Sequence, residues 1–187
     1  MMGDAMAAAV GAPASAGGFF KTIGGVIASW SLEHVKVKPG AMVAASGVVS
    51  GIGTFEVEEL GNELGNLFAD ALSIPANAGD ARAKWVATAE GLIDHFNNFG
   101  QADGTGLTSG APCGGAGKVV FTAPVFVPPL AVRLDVSDPI AAAALEAFAL
   151  QLVSHIQTNA IVIGISLSGP PLSAPPDGAV TGTGTIA

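Results

Sequence analysis

The sequence is poor in charged side chains and has no tyrosine. Of its 187 residues, 12% are charged, while 50% are hydrophobic and 26 are glycine. An average globular domain is roughly 25% charged. A free monomer covers its surface with polar side chains, and large exposed apolar patches usually mark contact sites. We therefore expect part of the surface to be covered by protein subunits or by a membrane.

No segment has the pattern of a membrane span or a signal peptide. A spanning helix needs about 20 predominantly apolar residues. The longest uncharged run, between Glu146 and Asp177, contains Gln151, His155 and four prolines. Asp4 stands where a signal peptide carries basic residues. The sequence therefore predicts no membrane span and no signal peptide, and it favours burial against other subunits.

Basic residues and cysteine are equally scarce. The 7 Lys and Arg residues are scattered among 15 Asp and Glu, and the net charge is -8. Because binding to phosphates needs a basic surface, we predict no nucleic-acid partner. Cys113 is the single cysteine, so no intramolecular disulfide can form.

The three histidines lie in similar local patterns. Before each of His34, His95 and His155 stands a small or acidic residue, and apolar residues flank that pair on both sides. The histidines are 61 and 60 residues apart. An alanine stands six residues before each of them. Such a period is typical of repeat proteins, although chance similarity in a chain rich in Gly and Ala is the alternative.

A Gly-x-Gly follows each histidine, at 51–53, 115–117 and 182–184. A phosphate cradle is one interpretation, but a dinucleotide fingerprint needs a third glycine and a following helix. The third copy ends three residues before the last residue of the chain. We therefore predict a kink or bulge where strands approach closely.

The histidine pattern and the Gly-x-Gly segments together divide the chain into three diverged tandem units. They cover residues 1–55, 56–119 and 120–187. Each unit is expected to place a helix before extended chain, so the predicted fold class is α+β. The second unit includes a linker helix at about 56–72, and the third ends in an extended arm.

Local signals place the remaining elements. The predicted helices cover about 18–35, 80–99 and 140–158, and the predicted strands cover about 41–49, 118–127 and 160–167. The third helix is the clearest, because Asp138 can cap it and Pro139 fits its first turn. Segments 101–114 and 168–178 are rich in Gly, Pro and Ser, and we expect them to be exposed arms.

The histidines could converge on a metal ion, since zinc accepts three histidines with one open position. A simpler role is at the helix ends, where a histidine interacts favourably with the helix dipole. Metal-bound histidines usually have a second partner, yet the acids Glu33 and Asp94 are replaced by Ser154 in the third copy. We predict separated histidines, no metal and no cofactor.

Other chemistry finds little support. Ser154 and His155 are adjacent, so on a helix they point about 100° apart and cannot pair as in a catalytic triad. The acidic run 56–63 lacks the ligand spacing of a calcium loop and is interpreted as a solvated helix face. The aromatic residues Trp85, Phe96 and Phe148 are expected in the core. We identify no catalytic residue, and we predict that the protein is not an enzyme.

The last residues, from Val180 to Ile186, are β-competent and alternate polar residues with glycine. Such a segment can add as a strand to the sheet edge of a neighbour. With the composition rich in Ala and Gly, this stretch resembles small structural proteins of tailed bacteriophages, such as tail, baseplate, neck and capsid accessory subunits. The resemblance assigns no functional residue.

That resemblance implies a homo-oligomeric virion component that binds itself and other assembly subunits. It also implies a location in the virion, and in the host cytoplasm during assembly. The alternative is a repeat-built binding module that presents loops to a glycan, a small ligand or a surface target. A ring or polymer in solution would favour assembly, while a monomer with a discrete pocket would favour binding.

Overall fold

The structure, a computed structural model, describes residues 8, 17–38, 43–45, 48–57, 61–107, 113–168, 178–179 and 181–186. The helices are α1 (Gly17–His34), α2 (Gly61–Ala71), α3 (Gly79–Phe99), α4 (Leu130–Arg133) and α5 (Pro139–Asn159). The strands are β1 (Val35–Lys38), β2 (Val43–Ala45), β3 (Val48–Val57), β4 (Gly100–Leu107), β5 (Cys113–Phe121), β6 (Ile161–Ser168), β7 (Gly178–Ala179) and β8 (Thr181–Ile186). The fold class is α+β, as predicted.

The chain forms two compact units, each assembled from three separate segments. The helical unit comprises Met1–Trp30, Glu59–His95 and Ala123–Ile156. The sheet unit comprises Ser31–Glu58, Phe96–Thr122 and Gln157–Ala187. A helix followed by strands does occur three times along the chain, but the two units interleave. The division into three tandem units is not confirmed and stays a prediction.

The start of α5 follows its local signals, whereas the start of α2 does not. In α5 the Asp138 carboxylate accepts a hydrogen bond of 2.8 Å from the Ala141 backbone N–H, which satisfies one of the unpaired donors of the first turn. The expected linker helix begins later than predicted. Glu56 and Val57 belong to β3, where they pair with β1, and the helix α2 starts only at Gly61.

Two helices end with a residue in the left-handed region. Ser73 after α2 has φ 57° and Asp135 after α4 has φ 52°. The following residues, Ile74 and Val136, donate their N–H groups back to carbonyls five residues earlier. This Schellman arrangement satisfies carbonyl groups at the helix end.

The helices α2 and α3 pack at very close range. A Cβ atom on Gly65 would meet the backbone of Val86, with its nitrogen 2.6 Å away. Arg82 on α3 reinforces the contact, because its guanidinium donates to Asp70, to Asn66 and to the Ile74 carbonyl. These contacts fix the two helices of this pair against each other.

The sheet unit consists of antiparallel strands that close into a ring. The neighbours run β1, β8, β6, β5, β4 and β3, and β3 pairs again with β1. The short strands β2 and β7 pair with each other, and β2 also pairs with β3. Closing the ring leaves none of its six strands with a free edge.

Strand boundaries differ from the prediction because pairing partners decide them. The segment 41–49 contributes to two strands, β2 and β3, rather than to one. The strand predicted at 118–127 starts at Cys113 and ends at Phe121. In the expected arm 101–114, residues 101–107 lie in β4 and 113–114 in β5, while 108–112 lie outside the described residues. Of the second expected arm, residues 169–177 lie outside the described part of the chain.

The Gly-x-Gly segments lie inside strands, as expected of a structural role. A register shift interrupts the pairing of β5 with β6 between Gly115 and Gly117, so the predicted bulge is present there. The first copy, in β3, continues in regular register with β4. The third copy lies in β8, opposite a register shift in β6.

The carboxy-terminal strand pairs within its own chain. Both neighbours of β8 are strands of the same sheet, β6 and β1. The expectation that this segment adds to the sheet of a neighbour is therefore wrong for the described structure. Closing its own sheet satisfies the same backbone groups without a partner.

Two amide side chains hold strand ends in the sheet unit. The Asn97 side chain accepts a 2.8 Å hydrogen bond from the Val57 N–H, at the end of β3. The Gln157 side chain accepts a 3.0 Å bond from the Phe121 N–H, at the end of β5. Each amide lies two residues before the end of its helix, α3 or α5. The two sites are therefore equivalent, while Leu32 occupies the same position in α1.

An aromatic cluster lies in the described core of the sheet unit, beside buried valines such as Val35 and Val119. Phe96 is completely buried, and its ring lies 5.7 Å from that of Phe55 and 5.3 Å from that of Phe121. Gly100 permits this packing, since a Cβ there would meet the Phe55 ring and lie 2.6 Å from the Phe96 carbonyl oxygen.

Candidate functional site

The three histidines do not occupy equivalent positions. His34 is the last residue of α1, whereas His95 and His155 lie four residues before the ends of α3 and α5. The matched spacing therefore holds for the second and third helices and is displaced by about one turn in the first. His34 lies half-exposed, with its Nε2 atom 3.8 Å from the Glu33 carboxylate.

His95 is a core residue. It is 1% exposed, and its ring lies 5.4 Å from that of Phe126. Burial lowers its pKa from 6.5 to about 4, against a smaller opposite effect of a backbone hydrogen bond with Ala123. Burial also lowers the pKa of His155. Both histidines are therefore neutral at physiological pH.

Among the residues that the structure describes, no group of three or more His, Cys, Asp or Glu side chains is placed to hold a metal ion. The absence of a metal and of a cofactor stays a prediction. Cys113 begins β5 and pairs with Leu167 through the backbone. Of the acidic run 56–63, expected to be a solvated helix face, Glu63 is exposed on α2 and Glu56 belongs to the strand β3, while Glu58 and Glu59 lie outside the described residues.

A cleft of about 520 Å³ opens between helices of the helical unit. Its walls come from the first turns of α1 (Phe19 and Phe20), from α3 and from the first half of α5 (from Ala141 to Phe148). Leu130 and Leu134, in α4 and directly after it, also line the cleft. This volume lies within the range of roughly 300–1,000 Å³ of small-ligand sites.

The floor and the mouth of the cleft differ in exposure. Phe20, Thr88, Leu130 and Phe148 line it and are each less than a tenth exposed. Residues with large exposed fractions mark the mouth, and these are Phe19, Ala81, Lys84 and Ala141. A ligand would therefore enter past a lysine onto an apolar floor.

Aromatic rings line one side of the cleft. Trp85 is half-exposed, and its ring lies 5.9 Å from that of Phe19 and 5.5 Å from that of Phe68. Phe20 and Phe148 stack with their centroids 5.9 Å apart. Phe96 and Phe148 are core residues as predicted, but Trp85 lines a cleft because α5 does not cover it.

Polar groups in the cleft are few. Its lining contains one charged side chain, Lys84, and one hydroxyl, that of Thr88. The Thr88 hydroxyl donates a 2.9 Å bond to the Lys84 carbonyl and so stays within its own helix. No ion pair joins the Lys84 side chain to any residue within the described ranges.

The opposite side of α5 forms a second feature, which we call the α5 face. It consists of Ile140, Ala143, Ala147, Leu150 and Ser154, spaced three and four residues apart so that they share one side of the helix. Ile140 is 80% exposed and Leu150 is 41% exposed. The α5 face carries no charge.

The one charged side chain in α5, Glu146, points elsewhere and accepts a 2.9 Å bond from the Ala131 N–H. Within the described residues, α5 is the one helix long and apolar enough to cross a membrane by length and composition. Only 28% of its 18-residue apolar window is buried.

Sequence reasoning missed the residues that shape the cleft and its surroundings. Arg133 donates to the Asp94 carboxylate at 2.8 Å and to the carbonyls of Val127 and Pro128, which brings α3 against the loop before α4. Neither this pairing nor the exposure of Lys84 leaves a local signal, because both depend on helices distant in sequence. The comparisons with protein-family models, curated proteins and solved structures find no match to this chain.

Proposed function

We propose that this chain is a structural subunit of a multi-protein assembly, that it binds copies of itself and other subunits, and that the α5 face is a contact surface. The observation that supports this most directly is the face itself, an uncharged helical stripe whose large residues Ile140 and Leu150 are exposed. Burying this apolar surface against a partner would stabilise the complex by about 25 cal/mol for each Å² removed from water.

The composition of the α5 face suits contact with another protein surface. Ala143, Ala147 and Ser154 are small, so a partner can approach the helix closely over most of its length. Leu67, another exposed apolar residue of the helical unit, has polar and charged neighbours instead. It is 45% exposed on α2, and the same helix carries Asn62, Glu63, Asn66 and Asp70.

The assembly we infer is the virion of a tailed bacteriophage, with the chain as a tail, baseplate, neck or capsid accessory component. Support comes from the composition rich in Ala and Gly and from the stretch Val180–Ile186. The location that follows is the virion, and the host cytoplasm during assembly. We propose no catalytic, cofactor-dependent, membrane-spanning or nucleic-acid-binding role.

Light scattering during size-exclusion chromatography tests the contact surface. We expect the full chain to form oligomers in buffer without detergent, and Leu150→Glu to weaken them by about two orders of magnitude or more, because an unpaired charge would be buried in the contact. Leu67→Glu is the matched control, since Leu67 is similarly exposed on α2, and it should leave the oligomers unchanged.

Two results would contradict the proposal. One is a full-length chain that stays monomeric at millimolar concentration. The other has two parts: the unmodified chain floats with phospholipid vesicles through α5, and Leu150→Glu does not weaken its oligomers. That result would assign the face to a membrane.

The cleft favours a second function, the binding of a small ligand.

A further inference from the structure

We infer that the cleft of the helical unit binds a single-chain amphiphile with a carboxylate head, such as a free fatty acid. The tail would lie on the apolar floor, and the head would meet Lys84 at the mouth. This site is separate from the α5 face and goes beyond the proposed assembly role.

The floor selects an alkyl chain. Phe20, Leu130 and Phe148 present carbon atoms at the bottom of the cleft. The Thr88 hydroxyl there already donates to a backbone carbonyl, so no free donor remains at the bottom for a polar ligand. A sugar or nucleotide would therefore lose hydrogen bonds to water without replacement, whereas an alkyl chain would lose none.

The mouth selects a negative head. Lys84 is the one charged side chain of the lining and is exposed. The nearby acids on the adjoining helices do not line the cleft. Asp80 lies one turn earlier on α3, outside the lining, and Glu146 on α5 is bonded to the Ala131 N–H. A carboxylate at the mouth would therefore meet a lysine that forms no ion pair with any described acidic side chain.

Calorimetric titration of the full chain with saturated carboxylates of 8, 10 and 12 carbons provides the main test (about fourfold in Kd expected per buried methylene). We expect one ligand per chain, and we expect the Kd to fall about sixteenfold for each step of two carbons until the cleft is filled. Ala144→Phe, which places a ring in the cleft, should abolish binding.

The head group is tested by ligand pairs and a charge variant. The 12-carbon carboxylate should bind more tightly than the 12-carbon alcohol, and the 12-carbon trimethylammonium should bind most weakly. Lys84→Gln should weaken carboxylate binding about two- to fivefold and leave alcohol binding unchanged. Lys21→Gln is the matched control, because Lys21 is an exposed lysine on α1 outside the lining.

A second readout needs no variant and so does not depend on whether a variant folds. Trp85 lines the cleft, so its fluorescence should shift on carboxylate binding in the otherwise unchanged chain. Binding that survives Ala144→Phe but disappears in Leu150→Glu would place the ligand on the α5 face and overturn the inference. Equal affinity for carboxylate, alcohol and ammonium, or no binding at all, would overturn it too.

Discussion

The helical unit and the sheet unit are stabilised by different kinds of contact. In the helical unit, buried side chains such as Phe68, Phe126 and Leu130, each at most 1% exposed, pack between helices. In the sheet unit, backbone pairing runs around a ring in which every one of six strands has two neighbours. A gap in a packed core costs about 2–5 kcal/mol, because neighbouring side chains relax only partly into it, and the damage stays local. A closed ring depends on each strand.

The largest effect should come from opening the ring. Deleting residues 180–187 removes β8, so β1 and β6 would both expose unpaired backbone groups. We expect the cooperative unfolding transition of the sheet to disappear and aggregates to form, while most of the helical circular dichroism signal stays. Loss of the helix and sheet signals to the same extent would show that the two units depend equally on β8.

The next effect lies in the helical unit, at the close contact of α2 and α3. Gly65→Ala places a methyl group against the Val86 backbone, and we expect a loss of about 3 kcal/mol in the free energy of unfolding. Gly25→Ala is the matched control, because a Cβ at Gly25 in α1 meets nothing within 4 Å. It should stabilise the protein by about 0.5–1 kcal/mol. Urea denaturation measures the free energy of unfolding of both variants. Equal changes in the two would contradict the close contact between Gly65 and Val86.

Acid should weaken the protein through His95. Its pKa is about 4 in the folded protein, below the ordinary 6.5, so the unfolded chain takes up a proton first as pH falls. The stability from the neutral, buried ring is therefore complete above pH 6.5 and decreases as pH falls towards 4. Between pH 7.5 and pH 5 we expect this histidine to account for a loss of about 2 kcal/mol.

Urea denaturation at the two pH values tests this histidine. His95→Leu cannot titrate, so its stability should fall less between pH 7.5 and pH 5 than that of the unmodified chain. His34→Gln, at a half-exposed position at the end of α1, is the control and should keep the full loss. An unchanged pH dependence in His95→Leu would assign the acid sensitivity to other groups.

The smallest effects should come from the two amides that hold strand ends. Asn97→Ala and Gln157→Ala each remove an acceptor from a backbone N–H, and we expect a loss of about 1 kcal/mol for each. Asn97→Asp keeps an accepting oxygen and should lose less. If the double alanine variant loses no more than either single one, the two sites do not act independently.

The histidine pattern shows how far sequence spacing can be used. His95 and His155 occupy equivalent places four residues before a helix end, and the amides Asn97 and Gln157 follow each by two residues. His34 matches them in spacing and local pattern but lies at the end of α1. Spacing relates residues along the chain, whereas the equivalence of two sites depends on where each helix ends.

Local sequence determined the helices well. Asp138 and Pro139 marked the start of α5, and a run without Gly or Pro carried it to Asn159. The α1 helix also formed as predicted, although it contains Gly24 and Gly25. These signals work because helix hydrogen bonds and caps join residues only a few positions apart.

The tertiary structure alone decided the ring and the cleft. Segment 101–107 has the composition of a loop but forms β4, because β3 and β5 pair with it on both sides. Trp85 has the spacing of a core residue but lines a cleft, because the facing half of α5 carries small residues such as Ala141 and Ala144. The β3 residues that pair with β4 lie at least 47 positions away along the chain, and Ala141 lies 56 positions from Trp85. Local propensity therefore cannot determine the outcome, and backbone pairing and side-chain packing between distant segments do.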